Sequence, residues 1–332
     1  MSERLLEVKD LSIEIATRRG PATIVDGIDL HVDKGETLGI VGESGCGKSL
    51  TMLSLVRLLP NKIRVAGGSA SFAGQNLLEL NSSQLREVRG GKIGFVFQDP
   101  MTSLNPVMKI GDQLSEPLIH HRGMSKADAR KRAGELLRLV GIPGAEQRLD
   151  SYPHELSGGM RQRVMIAIGL ACDPELLIAD EPTTALDVTI QAQIVDLVKD
   201  LRKRLGMSVV WITHDLALIA GLADRICVLY AGTVVEDAPV DQLFAEPAHP
   251  YTRGLLASIP RMDHDDSERL NSIGGTPPEP GRRPEGCPFA PRCPQAMDIC
   301  RTTVPTLEPL RGEATPHRVA CHVANRQLEA AA

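Results

Sequence analysis

Gly42-Glu43-Ser44-Gly45-Cys46-Gly47-Lys48-Ser49 is the stretch whose reading decides the fold. It follows an apolar run, Thr37-Leu38-Gly39-Ile40-Val41, that reads as a buried strand. It opens residues 49–59, where Met52, Leu53, Val56 and Leu59 fall at helical spacing. The pattern G-x-x-x-x-G-K-[ST] suits a phosphate group. Glycines let successive backbone N–H groups curl round an anion, and the helix that follows points its positive end at the same place. In such a loop Lys48 reaches the β- and γ-phosphates and the Ser49 hydroxyl joins the shell of a Mg²⁺ ion. The strand before and the helix after separate it from an ordinary glycine-rich turn.

At 332 residues the chain is longer than one minimal domain, so one large domain with an appendage is expected. There is no internal repeat and no second phosphate loop, which argues against tandem cassettes in one chain. The net charge of −5 gives no broad basic field for holding nucleic acid. No apolar run approaches the roughly 18 residues of a membrane span, and Met1-Ser2-Glu3-Arg4 lacks a signal-peptide core. The expectation is a cytosolic protein that meets a membrane only through a partner.

Outward from the loop, 4–36 holds two partly alternating stretches: Leu6, Val8, Leu11, Ile13, Ile15 and then Ile24, Val25, Ile28, Leu30, Val32. The turn-like Arg18-Arg19-Gly20-Pro21 separates them, so an antiparallel β-layer is expected to feed the loop strand. Gly67-Gly68-Ser69 is read as the start of a short strand ending at Phe72, and Ser82 as the start of a short helix. Residues 92–97 form a second buried strand candidate that delivers Gln98 at its carboxyl end, the edge where doubly wound sheets collect ligands.

From Asp99 to Leu156 the pattern is helical. Ser125 stands as a cap and Gly141 as a stop, as in a helical insertion that serves as a lever or docking surface. Ser157-Gly158-Gly159-Met160-Arg161-Gln162 then makes a second anion-binding edge at a helix start. Leu176-Leu177-Ile178-Ala179 is an apolar strand ending in Asp180-Glu181-Pro182. Two carboxylates there divide labour, Asp180 toward Mg²⁺ and Glu181 toward a nucleophilic water. Asp187 precedes a helix ended by Gly206, and the strand 208–213 delivers His214.

In this order the phosphate loop, Gln98, the Leu-Ser-Gly-Gly-x-x-Gln signature, Asp180-Glu181, Asp187 and His214 resemble the motifs of ATP-binding cassette (ABC) ATPases over roughly 6–239. The resemblance implies an α/β P-loop core with an antiparallel β-subdomain. On this reading 1–98 and 157–240 are the core, 99–156 the helical subdomain and 241–332 a C-terminal extension with a cysteine cluster. ATP contacts would run through Gly42, Glu43, Ser44, Gly45, Cys46, Gly47, Lys48, Ser49 and Leu50, with Mg²⁺ on Ser49, Gln98 and Asp180. Glu181, His214 and Gln98 would be catalytic. In the family two subunits pack head to tail, so Ser157, Gly158, Gly159 and Gln162 would meet the ATP of the other subunit, and Asp187 would communicate across the dimer.

One departure stands out: the family usually stacks an aromatic residue on adenine, and this chain has none before Phe72. Arg19 lies near that position, and its planar guanidinium is the candidate to stack on the base. The segment 98–106, Pro247-Ala248-His249-Pro250-Tyr251-Thr252 and the cysteine-rich tail resemble the branch that energises import of dipeptides and oligopeptides, with nickel importers as close relatives. That implies two membrane permease subunits, an extracytoplasmic binding protein and, as is common in this branch, a second, different ATPase subunit.

Beyond Pro260 the chain is rich in Pro and Gly, as in an extended connector, and leads to Cys287, Cys293, Cys300 and Cys321 at C-x5-C-x6-C-x20-C spacing. Four thiolates in a segment with few core residues can staple it around a metal. The absence of a close cysteine pair disfavours zinc, Pro beside Cys suits iron–sulfur ligation, and unligated thiols are the plain alternative. The family resemblance also points to a [4Fe–4S] site in this tail.

Overall fold

The two alternating stretches near the N-terminus fold as long strands, Arg4–Thr17 and Gly20–Asp33, hinged at Arg18-Arg19. Leu6, Val8, Leu11 and Ile13 of the first and Val25, Ile28 and Leu30 of the second are buried, while intervening residues face outward. The computed structural model describes residues 3–259, 273–310 and 316–324. It divides into two units, one of 5–31, 38–75 and 213–332, the other of 1–4, 32–37 and 76–212.

In the first unit the antiparallel layer has the order Gly20–Asp33, Arg4–Thr17, Ile63–Phe72, Gln75–Asn76. The third strand starts at Ile63, four residues before the glycine pair that the sequence suggested as its beginning. The pairing with Arg4–Thr17 shifts register between Lys9 and Ser12, opposite those glycines. Gly68 has φ +94°, and a Cβ there would strike the backbone of Asp10 and Leu11. Asp10 and Leu11 stand opposite the single residue Gly68, so the glycines accommodate a bulge of the facing strand, and an alternation rule reads them as a break.

A second sheet in this unit runs Glu308–Pro309, Arg318–Val319, Thr233–Pro239, Arg225–Tyr230, Thr37–Val41. Thr37–Val41 lies parallel to Arg225–Tyr230 with Ile40 opposite Cys227, and all five of its residues are buried. Arg225–Tyr230 and Thr233–Pro239 form a hairpin whose two loop residues, Ala231 and Gly232, both have positive φ. That is the turn geometry whose twist matches the strands. The tail is part of this sheet: Val319 pairs with Glu236 and Arg318 with Asp237.

The second unit holds three parallel strands, Ile93–Val96, Leu176–Asp180 and Ser208–Thr213, with Phe95 opposite Ile178 and Ile178 opposite Val210. They read as unbroken apolar runs because both faces are covered. Gly94 lets the helix Gly158–Leu170 lie directly on the sheet, since a Cβ there would collide with the Gly169 carbonyl. The helical block belongs to this unit. Ile110–Arg122 and Lys126–Leu139 pack on each other and both touch Gly158–Leu170. Ser125 caps Lys126–Leu139 by accepting the Asp128 N–H at 3.2 Å, as its position in the sequence suggested. Among the described residues no helix is long and apolar enough to cross a membrane.

Candidate functional site

In the first unit the strand Thr37–Val41 leads into the phosphate loop, and the helix Lys48–Leu55 starts from Gly47 at φ +100°. Gly45 is also left-handed, at φ +78°. Gly42 is required for a different reason: a Cβ there would run into the Leu229 carbonyl and come within 2.8 Å of Cys46 Sγ. Lys48 is 4% exposed, and its ammonium donates to the carbonyls of Gly42 at 2.7 Å and Glu43 at 3.0 Å, so it lies along the loop. Burial raises the Cys46 thiol pKa in spite of neighbouring Lys48, which marks Cys46 as an inert small filler.

Glu43 is tied down at both ends. Its N–H donates to Tyr251 Oη at 2.9 Å, and its carboxylate takes both arms of Arg292. Neither contact could be read from the sequence, because each partner is more than 200 residues away along the chain. His214 is exposed just after Thr213, and the following Asp215 caps Leu216–Ala220 by accepting from Ala217 and Leu218. Arg19 is exposed at the hairpin tip, with its N–H bonded to Thr17 Oγ1.

The second unit carries the carboxylates. Asp180 ends its strand 6% exposed. Glu181 adopts φ +44°, a conformation that costs a residue with a side chain about 1–2 kcal/mol. One of its oxygens accepts Gln98 Nε2 at 3.0 Å and Thr184 Oγ1 at 3.1 Å, and its N–H donates to Ile212 at 3.0 Å. Gln98 and Glu181 are thus brought together as their strand-end positions suggested, and Thr184 joins them without having been foreseen. A local signal existed, since Thr184 follows Glu181 by three residues in a tight turn.

Ser157 is exposed and caps Gly158–Leu170 by accepting the Met160 N–H at 3.3 Å. The two glycines beside it differ. A Cβ on Gly159 would press on Ile190 at 3.0 Å, whereas on Gly158 it would make only an ordinary contact with Leu186 at 3.7 Å. Packing accounts for Gly159 and leaves Gly158 unexplained. Gln162 is 1% exposed, whereas Ser157 five residues before it is exposed. Asp187 is exposed, caps Val188–Leu205 and stands beside Val188, which is 81% exposed.

The structure gives no support to the metal site that the spacing of the tail cysteines suggested. No group of three or more His, Cys, Asp or Glu able to hold a metal ion occurs among the described residues, which include all four cysteines. Cys287 N–H donates to the Cys300 carbonyl at 2.8 Å, and Cys321 packs with Ala248, Val319, Val323 and Ala324. Burial raises the Cys287 thiol to about 11, with the neighbouring Cys300 and Cys321 adding to the rise. This part of the tail owes its order to backbone bonds, sheet pairing and apolar contacts. Of the connector, 260–272 lies outside the described residues.

Strand, glycine loop and helix in this order define a P-loop nucleotide-binding protein. Residues 25–184 match the family described as "ABC transporter", and 235–300 match "Oligopeptide/dipeptide transporter, C-terminal region". The oligopeptide transport ATP-binding protein AppD of Bacillus subtilis is 52% identical over 91% of this chain and 92% of its own. The dipeptide transport ATP-binding protein DppD of the same organism is 47% identical over 98% and 97%. A dimeric post-hydrolysis structure of the ATP-binding cassette MJ0796 with ADP and Pi is 31% identical, with TM-score 0.64, covering 71% of this chain and 98% of that one. The chain belongs to the ATP-binding proteins of ABC transporters, closely related to those of oligopeptide and dipeptide transport.

Proposed function

We propose that this protein is the ATP-hydrolysing subunit of a peptide importer, with Glu181 as the general base. The observation that carries the catalytic reading is the fixed carboxylate of Glu181, held by Gln98 and Thr184 on a strained backbone at a strand end. A base positioned this way takes the proton of a water attacking the γ-phosphate. Gly42–Ser49 receives the phosphates through its N–H groups, with Lys48 as counter-charge and Leu50 continuing the helix start. His214 is assigned to the γ-phosphate, and Arg19 to the base. When bound, Mg²⁺ would neutralise phosphate charge, with Ser49, Gln98 and Asp180 as its ligands.

Ser157, Gly158 and Gly159 are proposed to meet the ATP of a second ATPase subunit. The support is Gly158, whose missing side chain the subunit's own packing does not require. Buried Gln162 is proposed to hold that helix start from inside and not to touch the nucleotide. Asp187 would communicate across the dimer. The peptide cargo rests on the relatives' names and the C-terminal match, and a nickel importer is the alternative. The remaining partners would be two permeases and an extracytoplasmic binding protein, with this subunit at the cytoplasmic face of the membrane and the block 99–156 as its docking lever. Cysteine spacing, the prolines after Cys287 and Cys293 and the family resemblance support a [4Fe–4S] cluster in the tail, with zinc as the alternative; iron, sulfide and zinc analysis after anaerobic purification tests it, and no step here depends on it.

Glu181→Gln is expected to bind ATP normally and to lose turnover by about 100-fold or more. Phosphate release near the wild-type rate would remove Glu181 from its role.

A further inference from the structure

Glu43 places a carboxylate within a loop built to receive a polyanion. Left alone, that charge would oppose the ligand. In this structure Arg292 answers it: Nη1 lies 2.7 Å from one carboxylate oxygen and Nη2 2.9 Å from the other. The Arg292 side chain is 4% exposed and the Glu43 side chain 26%. Arg292 is itself fully committed. Nε donates to the Gly274 carbonyl at 2.9 Å, Nη2 to Ile273 at 3.2 Å and Nη1 to Tyr230 Oη at 3.2 Å. With the two bonds to Glu43, all of its N–H donors are used. The guanidinium also lies over the rings of Tyr230 and Phe289, 5.6 and 5.9 Å from their centroids.

The rings of Tyr230, Phe289 and Tyr251 contact one another, and Tyr251 is the residue that accepts the Glu43 N–H. Aromatic residues make up 3% of the chain, so gathering three of them under one loop residue is a concentrated use of them. Arg292, Phe289 and Tyr251 all fall within 235–300, outside the stretch 25–184 matched to the ABC transporter family.

We propose that Arg292 is a positioning residue for ATP: through Glu43 it neutralises and pre-shapes the phosphate loop, so the C-terminal extension sets nucleotide affinity. Two physical effects act together. The clamp removes loop freedom that binding would otherwise have to quench. It also cancels a negative charge that would repel the phosphates across a short, partly desolvated distance. A mere strut would show the first effect only. The proposal rests on ATP binding at Gly42–Ser49.

The test measures ATP affinity of the full chain with a fluorescent ATP analogue, together with KM and kcat. Arg292→Ala should weaken ATP binding about tenfold, with a larger change in KM than in kcat. Adding Glu43→Gln to Arg292→Ala removes the exposed charge and should bring affinity back to within about threefold of wild type. Unchanged affinity in Arg292→Ala overturns the proposal, and so does a double variant no better than the single one. Should Arg292→Ala not fold, Arg292→Lys is compared with Arg292→Gln: the lysine variant should bind ATP more tightly, and equal affinities overturn the proposal. Lys48→Ala distinguishes the other failure, because wild-type ATP binding by that variant would refute the phosphate loop as the nucleotide site, whatever Arg292 does.

Discussion

Gly42 and Gly45 sit three residues apart in one loop, and the structure asks different things of them. Gly42 faces the Leu229 carbonyl, so Gly42→Ala forces the backbone aside. About 2 kcal/mol of stability should be lost, as in overpacked cores, together with nucleotide binding. Gly45 faces open space, so Gly45→Ala meets only the cost of a left-handed alanine, about 1 kcal/mol. Urea unfolding of the two variants should show this order, and a Gly42→Ala protein as stable as Gly45→Ala would contradict the packing described. The motif could be read from sequence, but the reason for each glycine could not, because Leu229 lies on a strand that only folding brings beside the loop.

At the scale of an element, the helix Pro250–Ala257 is held by an unusual cap. His249, 1% exposed, accepts the Tyr251 N–H at 3.0 Å through Nδ1, while its own N–H and that of Ala248 donate to the buried Glu236 carboxylate. His317 Nε2 lies 2.8 Å from the same carboxylate. Burial lowers the His249 pKa to about 4, and Arg253 adds to the effect while Glu236 opposes it. The folded value lies below the unfolded one near 6.5, so the unfolded chain takes up the proton more readily.

Stability is therefore complete above about pH 6.5 and falls by about 3 kcal/mol as pH drops toward 4. Glu236, whose pKa is also lowered in the fold, adds a loss of the same sign below its ordinary value. His249→Asn keeps an oxygen cap without a titrating ring. Its melting temperature should change less between pH 7.5 and 5 than that of wild type; parallel curves would acquit His249. This helix supplies Tyr251 to Glu43, so mild acid should weaken ATP binding as well.

For the whole molecule, the proposal to test is that the exposed Ser157-Gly158 edge meets the ATP of a second subunit. Gly158 is the first residue of its helix, where an aspartate is electrostatically favourable, and its surroundings leave room for a side chain. Gly158→Asp should fold with unchanged melting temperature. In the Glu181→Gln background it should abolish ATP-driven association with the partner ATPase, seen by size-exclusion chromatography of the copurified pair. Association that survives Gly158→Asp would remove this edge from the intersubunit site. Copurification of the membrane complex, with its subunits identified, should return two permeases and a second, different ATPase; a complex holding two copies of this chain would refute the heterodimer.

The sequence by itself determined the phosphate loop, the order of the motifs, the strand ends that carry Gln98 and Glu181, and the helix cap at Ser125. All of these follow from spacing and local backbone chemistry acting over a few residues. Only the tertiary structure decided that a register shift falls opposite Gly67-Gly68, that Gln162 is buried and that Thr184 joins Glu181. It alone also decided that Glu43 is held by Tyr251 and Arg292. Those contacts depend on where strands register and where the tail returns, and a local pattern carries no information about a charge that arrives from 249 residues away.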